Sequence, residues 1–248
     1  WVPAQIQDLA GVSGNLSTMF SDLSEEMAIL EHFQTGLRFT TTTGPVDWGL
    51  QYFYGYLLNP AAKITIISPS PPTYDINFIY NRYHQAGFDG ATVLQGFNIR
   101  MEVAANITED TKGDDPFVYN PALAYSIGFD RDLLWAINLN LQYNGSYRLF
   151  DDKVGSTSPF DIEQDTDAFT SQITARLSQN LFHDTLKWEG TLLFGLQDED
   201  YLFIPSLTWV QGDGELSVRA GIFGGNSSGQ LGQFDDNDYV SLQLKYLF

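Results

Sequence analysis

Charged and amide side chains recur at every second residue along several stretches of the sequence, and these residue types could bind or select a solute. The most regular stretch is 133–148, where amides alternate with large apolar residues. Because successive side chains of a strand point to opposite faces, this period of two places the polar groups on one side of a sheet. The same parity assigns the following residues to one polar face: Arg38, Arg100, Glu102, Asn138, Asn140, Gln142, Arg148, Arg176, Lys187, Glu189, Arg219 and Lys245.

Other groups that could hold a metal or catalyse a reaction lack the spacing that either task needs. Asp235, Asp236 and Asp238 could offer carboxylate oxygens to a divalent cation, but the full spacing of a calcium loop is missing. We therefore favour a solvated loop there. The three histidines are far apart in sequence, and no Gly-x-Ser-x-Gly elbow is present. We predict neither an enzyme nor a resident cofactor.

The composition narrows the functional classes further. The chain has 248 residues, which is enough for one large β domain, and it contains no cysteine. Its formal net charge of -19 argues against a nucleic-acid partner, because phosphate binding needs a basic surface. No apolar run approaches the roughly 18 residues of a transmembrane helix. This observation does not exclude a membrane barrel, because its strands carry a weaker signal.

The opposite face of the predicted strands is apolar. In residues 239–248, apolar side chains occupy every second position up to a terminal aromatic residue. This pattern is typical of the closing strand of a bacterial outer-membrane barrel, whose outer face meets lipid and whose inner face is polar. We predict that aromatic residues of the apolar face lie at the membrane interface: Trp48, Trp135, Tyr143, Trp188, Trp209, Tyr246 and Phe248.

The predicted connections alternate in length. Short turns are expected near residues 44, 96, 131, 184 and 212, and long loops at 58–85, 108–119, 150–167 and 225–238. Residues 63–67 and 74–94 are expected to be extended and to form one long projecting hairpin, with Pro69, Pro71 and Pro72 at its tip. Only the connection near residue 198 breaks the rule. Outer-membrane barrels combine short periplasmic turns with longer extracellular loops. The sequence therefore predicts an all-β transmembrane antiparallel barrel over 34–248 with a periplasmic C-terminus, preceded over 1–33 by an extracellular loop with a short helix.

Two interpretations of the polar face stay open. In the first, arginines and amides line a lumen through which small polar or anionic solutes pass. In the second, acid–base pairs such as Arg100 with Glu102 neutralise each other inside a plugged barrel. The protein would then be structural or adhesive, and its acidic extracellular loops would bind a partner.

The strand count raises the question of closure. We expect about eleven to twelve strands, whereas bacterial single-chain barrels have an even number with both ends periplasmic. Eleven strands with a periplasmic C-terminus would start on the wrong side of the membrane. We therefore expect the C-terminal part of a larger barrel, completed by further N-terminal strands or by another chain, with outer-membrane lipid around it. The alternative is one more strand between residues 60 and 85.

Roughly residues 1–110 contain a series of distinctive motifs: Trp1-Val2-Pro3, Gly36-Leu37-Arg38, Gly44-Pro45-Val46-Asp47-Trp48-Gly49-Leu50, Tyr52-Phe53-Tyr54-Gly55-Tyr56, Tyr83-His84, Ala86-Gly87-Phe88-Asp89 and Arg100-Met101-Glu102. In these motifs the chain resembles porin-like outer-membrane proteins of unassigned function that are related to alginate-export-type porins. The resemblance implies a barrel in which strands precede the Trp-Val-Pro loop. It implies no catalytic or binding residue.

Overall fold

The structure is a computed structural model that describes residues 33–70, 72–164 and 166–248. The loop and short helix predicted for 1–33 therefore lie, apart from residue 33, outside the described residues. The described strands are β1 (Thr35–Thr43), β2 (Val46–Tyr56), β3 (Ala61–Pro69), β4 (Pro72–Ile79), β5 (Arg82–Leu94), β6 (Phe97–Thr108), β7 (Ala122–Asp132), β8 (Ile137–Arg148), β9 (Phe169–Leu181), β10 (Leu186–Gly195), β11 (Asp200–Gln211), β12 (Gly214–Gly225) and β13 (Tyr239–Tyr246).

Eleven of these strands form one antiparallel sheet in chain order, β1-β2-β5-β6-β7-β8-β9-β10-β11-β12-β13. The predicted all-β class is confirmed. Strands β3 and β4 form a separate hairpin inserted between β2 and β5, and Pro69 pairs with Pro72 at its tip. A projecting hairpin with prolines at its tip was predicted here, but one extended strand over 74–94 was also predicted, and that is wrong. Asn81, which is only 2% exposed, separates β4 from β5.

The connections alternate in length as predicted. The strands of the sheet have two ends. We call the one with the short connections after β1, β5, β7, β9 and β11 the turn end. The opposite one, with the long connections and the short one at 196–199, is the loop end. One predicted turn is misplaced. Residues 130–132 continue β7, and the chain reverses at 133–136, where Leu133 N donates to Ile137 O over 2.7 Å.

The register preserves parity from β1 to β13, so the sheet has two chemically distinct faces. For example, Arg100 lies opposite Ala91 in β5 and Gly128 in β7. All the residues assigned to the polar face by sequence parity fall on one face of the sheet when the pairs are followed across it. The strand pairing thus places on one face side chains that are far apart in sequence, from Arg38 in β1 to Lys245 in β13.

The other face, which we call the apolar face, carries no aspartate or glutamate in any strand of the sheet. Its large side chains are exposed or partly exposed: Ile127 in β7 keeps 37% of its surface, and Leu37 and Leu244 in the two edge strands keep 75% and 78%. A soluble sheet packs its apolar face against another layer, because burial of apolar surface is the main source of stability. No such layer covers this face within the described part of the chain.

Most of the buried apolar residues in the described ranges lie in the hairpin, whereas Ala122, at the start of β7, belongs to the sheet. Ala62, Ile64, Ile76 and Phe78 form a cluster on one face of the β3–β4 hairpin, and Phe160 of the loop 149–168 packs against it. The loop 109–121 is tied to both, through Tyr119 to Pro60 O and through Asn120 to Glu163. We call the hairpin and these two loops, which lie at the loop end, the cap.

Two short 3-10 segments, Leu134–Ala136 and Gly232–Asn237, are the helical elements within the described ranges. Neither they nor any other helix described there is long and apolar enough to cross a membrane.

Candidate functional site: the polar face of the sheet

Ion pairs hold most of the basic residues of the polar face. Arg38 Nη2 lies 2.8 Å from Asp89 Oδ1, and this pair bridges β1 and β5 across β2. Glu189 Oε2 accepts from Arg176 Nη2 at 2.7 Å and lies 3.2 Å from Lys187 Nζ. These side chains are partly exposed, so each pair contributes at most about 1 kcal/mol to stability.

Arg100 does not pair with Glu102, which was the example given for neutralised pairs. Its acidic neighbour is Asp130 of β7, with Nη2 and Oδ2 separated by 3.5 Å. Successive side chains two residues apart on a strand project in parallel, whereas residues on adjacent strands face each other more closely. For Arg100, a cross-strand pair therefore replaces the pair that was expected along the strand.

The formal charges of the polar face nearly cancel. Seven basic residues in the strands of the sheet oppose eight acidic ones, a net charge of -1. The basic residues are Arg38, Arg100, Arg148, Arg176, Lys187, Arg219 and Lys245, and the acidic ones are Asp47, Asp89, Glu102, Asp130, Asp132, Glu189, Asp200 and Glu215. Most of the overall charge of -19 must therefore lie outside this face.

The predicted amides join this network at the turn-end half of the sheet. Asn138 Nδ2 donates to Asp132 Oδ1 over 2.9 Å, and Gln142 Nε2 donates to Ser126 Oγ over 2.9 Å. Asn140 lines a cavity of about 230 Å³ together with Gln142 and Arg100. The structure thus brings four predicted residues (these three and Glu102) to one cavity.

The last two predicted cations lie towards the C-terminal edge of the sheet. Lys245 is opposite Glu215 in the β12–β13 register, and Arg219 is opposite Ser206 and Ser241. They share the polar face but not the cavity near Arg100.

Arg148 anchors the loop 149–168 to the polar face. Its Nε donates to Glu163 Oε1 over 2.7 Å, and the Glu163 side chain is only 2% exposed. The other carboxylate oxygen accepts from Asn120 N and Nδ2 over 2.9 and 2.8 Å. Glu163 was not predicted from the sequence, because an acidic residue in a long polar loop carries no periodic signal.

A second loop folds onto the polar face between β12 and β13. Asp200 is 1% exposed and accepts hydrogen bonds from the backbone N–H groups of Leu231 and Gly232. Phe234 of the same loop lies 5.8 Å from Phe223, measured between ring centroids, and Phe223 faces the polar side of β12. Both loops therefore narrow the space above the polar face at the loop end.

Tyr119 lies beside the Arg148–Glu163 pair. Burial raises the pKa of its phenol above 10, the charge of Glu163 raises this pKa further, and the charge of Arg148 lowers it in part. Tyr119 Oη donates to Pro60 O over 3.3 Å. The phenol is therefore neutral near pH 7 and ties the loop 109–121 to the segment before β3.

Most of the predicted interface aromatics lie at the turn end. Trp48, Trp188 and Trp209 are each two residues from the turn end of their strands, and Tyr246 ends β13, followed by Phe248. Trp135 was expected on a strand, but it lies in the 133–136 turn with a φ of 61°.

Tyr143 differs from the other aromatics because it lies in the middle of β8. Its hydroxyl is 3.1 Å from that of Tyr125. A second aromatic band lies on the apolar face at the loop end: Tyr54, Tyr56, Tyr147, Phe169 and Tyr201.

The aspartates considered as cation ligands are not brought together. Asp238 Oδ1 accepts from Phe223 N over 2.8 Å, which uses it to fix the end of the loop. Across the described residues, no group of three or more Asp, Glu, His or Cys side chains is arranged to hold a metal ion.

Comparisons with models of protein families and with curated protein sequences find no match to this chain.

Proposed function

We propose that the sheet is part of the wall of an outer-membrane β-barrel that passes small polar solutes along its polar face. The observation that carries the proposal is the apolar face, which extends over eleven strands without a carboxylate and keeps its large side chains exposed or partly exposed. Exposed apolar patches on soluble monomers rarely exceed a few hundred Å². Lipid is the environment in which such a face is stable, provided that the backbone of every strand is paired.

The two aromatic bands support a membrane-spanning height. Trp209 and Tyr201 mark the two bands on β11, eight residues apart. At about 3.3 Å per residue and a tilt of 35–45°, this separation corresponds to ~20 Å along the membrane normal. The apolar band of outer-membrane barrels is about 25 Å tall. The turn end would then be periplasmic, because its connections are short.

The near balance of charge on the polar face favours a neutral polar solute over an anion. An anion passing seven basic residues also passes eight acidic ones, so the face provides little net attraction for either sign. We therefore narrow the expected solutes from polar or anionic to polar and uncharged.

Closure of the barrel requires further strands in this proposal. Because eleven antiparallel strands separate the edges, β1 and β13 run in the same direction, both from the loop end to the turn end. Antiparallel closure therefore needs an odd number of additional strands, supplied by the same protein or by another chain. Every residue of β13 is exposed, which fits a missing neighbour on that edge.

Reconstitution tests the proposal. Protein inserted into liposomes is expected to make them swell in solutions of glucose or arabinose faster than protein-free liposomes do. It should also conduct ions in planar bilayers with weak preference between anions and cations. Strong anion selectivity would contradict the charge argument, and folded, inserted protein without swelling or conductance would contradict the channel.

The alternative, a plugged barrel with structural or partner-binding loops, has one specific observation in its favour. The loops at 149–168 and 226–238 are pinned over the polar face by Glu163 and Asp200. If these loops seal the lumen, variants that release them will conduct while the unaltered protein does not.

A further inference from the structure

A half-enclosed pocket of about 360 Å³ lies at the loop end of the polar face. The role inferred for this pocket depends on the proposed channel function. Its polar and aromatic lining consists mainly of Tyr83, Gln85, Asn106, Tyr119, Asn120 and Arg148. We infer that this pocket binds a neutral, polyhydroxylated solute of sugar size at the mouth of the channel.

The register explains why these residues meet. Gln85 lies opposite Asn106 in the β5–β6 pair, and Tyr83 lies opposite Thr108 one step closer to the loop end. Arg148 ends β8 on the same face. The loop carrying Tyr119 and Asn120 then crosses above them. The lining therefore comes from four strands, with Ala122 supplied by β7, and from two connections, which supply residues 57–59 and 119–120.

The pocket has almost no net charge. The guanidinium of Arg148 is compensated by Glu163, whose second oxygen is occupied by Asn120. The raised pKa of Tyr119 keeps its phenol neutral. A bound anion would compete with Glu163 for Arg148, and a bound cation would meet no unpaired carboxylate among the lining residues. A neutral ligand with many hydrogen-bonding groups avoids both costs.

The amides provide the hydrogen bonds that such a ligand needs. Gln85 Nε2 donates to Asn106 Oδ1 over 2.9 Å, which holds the two amides side by side. This arrangement presents the Gln85 carbonyl oxygen as an acceptor and the Asn106 amide as a donor. Neighbouring hydroxyls of a sugar act as donor and acceptor in the same way.

Aromatic rings provide the apolar surface. Tyr83 faces the polar side, and its ring lies 5.7 Å from that of Phe53, at 56° to it. Phe53 lies opposite Gln85 in the β2–β5 register, so both rings belong to the polar face. Aromatic rings on the polar face do not contact lipid, so a membrane-interface role does not explain them. The C–H faces of a sugar ring can pack against such rings.

The test separates binding from transport. Full-length protein in lipid nanodiscs is titrated with glucose, sucrose and succinate, and binding is followed by saturation-transfer NMR. We expect saturable binding of at least one sugar and none of succinate. Tyr83→Leu and Gln85→Ala should each weaken it about tenfold, equivalent to about 1.4 kcal/mol. Tyr147→Leu is the matched control, because Tyr147 lies at the same end of the sheet but on the apolar face. This variant should bind sugar as tightly as the unaltered protein does.

Each outcome has a distinct meaning. If neither sugar binds, or if succinate binds more tightly than both, the inference is overturned even when liposome swelling shows that sugars pass. If sugar binds and Tyr83→Leu reduces it while swelling is absent, the pocket stands and the channel proposal fails. A loss of binding in Tyr147→Leu equal to that in Tyr83→Leu would also overturn the pocket, since the effect would then be general.

Discussion

Arg148 Nε and Glu163 Oε1 are joined by a hydrogen bond of 2.7 Å that ties the loop end of β8 to the loop 149–168. The pair is asymmetric, because the Arg148 side chain keeps 26% of its exposure and Glu163 keeps 2%. Burial of the carboxylate is compensated by three donors, two of them from Asn120. One buried carboxylate thus fixes two loops above the polar face.

Replacing Glu163 with alanine should loosen this cap. The change leaves the guanidinium and the Asn120 amide without their acceptor, and we expect a cost of about 2–4 kcal/mol to the local opening free energy of the loops. Limited proteolysis should then cut within 109–121 and 149–168 much faster, while the strands stay resistant. Glu163→Gln is the control, because it retains an oxygen acceptor and should show a smaller effect. Equal cleavage of all three proteins would show that the pair does not hold the loops.

Asp200 should play the same part for the loop 226–238. In Asp200→Ala, the N–H groups of Leu231 and Gly232 lose their acceptor, so their hydrogen exchange should accelerate at least tenfold. Conductance in planar bilayers should rise if this loop restricts the lumen. Asp213→Ala, a change in a turn at the opposite end, provides the comparison. Unchanged exchange at residues 231 and 232 in Asp200→Ala would contradict the role of the carboxylate.

The sheet could be predicted from the sequence, because the alternation of polar and apolar residues is visible within each strand. Pairing of the strands keeps the polar residues on the same face. Polar groups at even spacing on one strand, such as those around Asn140, fall opposite the polar groups of the next strand once the turns are short. The misplaced turn at 130–132 shows the limit. Asp130 and Asp132 are turn-forming residues by type, but here they accept hydrogen bonds from Asn98 and Asn138 within the ladder.

The contacts of the cap and of the loop 226–238 could not be predicted, because they join residues that are not related by the alternating pattern of a strand. Glu163 and Asn120 are 43 residues apart in two loops, and Asp200 meets a loop 31 residues later. The pocket ring Tyr83 was missed for a different reason. Its parity with Gln85 was readable, but the unbroken strand assumed over 74–94 hid where β5 begins.

The apolar face should reject charge at mid-height. Leu141→Arg places a guanidinium in the centre of this face, and the expected cost in a bilayer is about 2–4 kcal/mol. Folding into lipid vesicles, followed by the mobility difference between unheated and heated samples on gels, should be impaired. Asn140→Arg on the neighbouring residue is the matched control, because it places the same charge on the polar face. Equal insertion of both variants would remove the main support for a lipid-facing wall.

Gly145 should not tolerate a side chain. The Tyr125 ring crosses directly over Gly145, so a Cβ there would overlap with the Tyr125 hydroxyl. We expect Gly145→Ala to cost about 1–3 kcal/mol through displacement of the ring. Gly128→Ala is the control, because its nearest neighbour would be 3.8 Å from the new Cβ. Urea unfolding in lipid measures both variants, and a loss in Gly128→Ala as large as that in Gly145→Ala would argue against ring packing as the cause.

Tyr119 should make the cap sensitive to alkaline pH. Its pKa is raised by burial and then by the charge of Glu163, so the folded cap favours the neutral phenol. A group whose pKa is higher in the folded state contributes stability that is present below its unfolded pKa of about 10 and is lost as the pH rises through the folded value. Cleavage within 109–121 should therefore accelerate above pH 10 in the unaltered protein. Tyr119→Phe cannot ionise, so its cleavage rate, corrected for the protease's own pH dependence, should stay flat over the same range. A parallel rise in both proteins would assign the alkaline opening to another group.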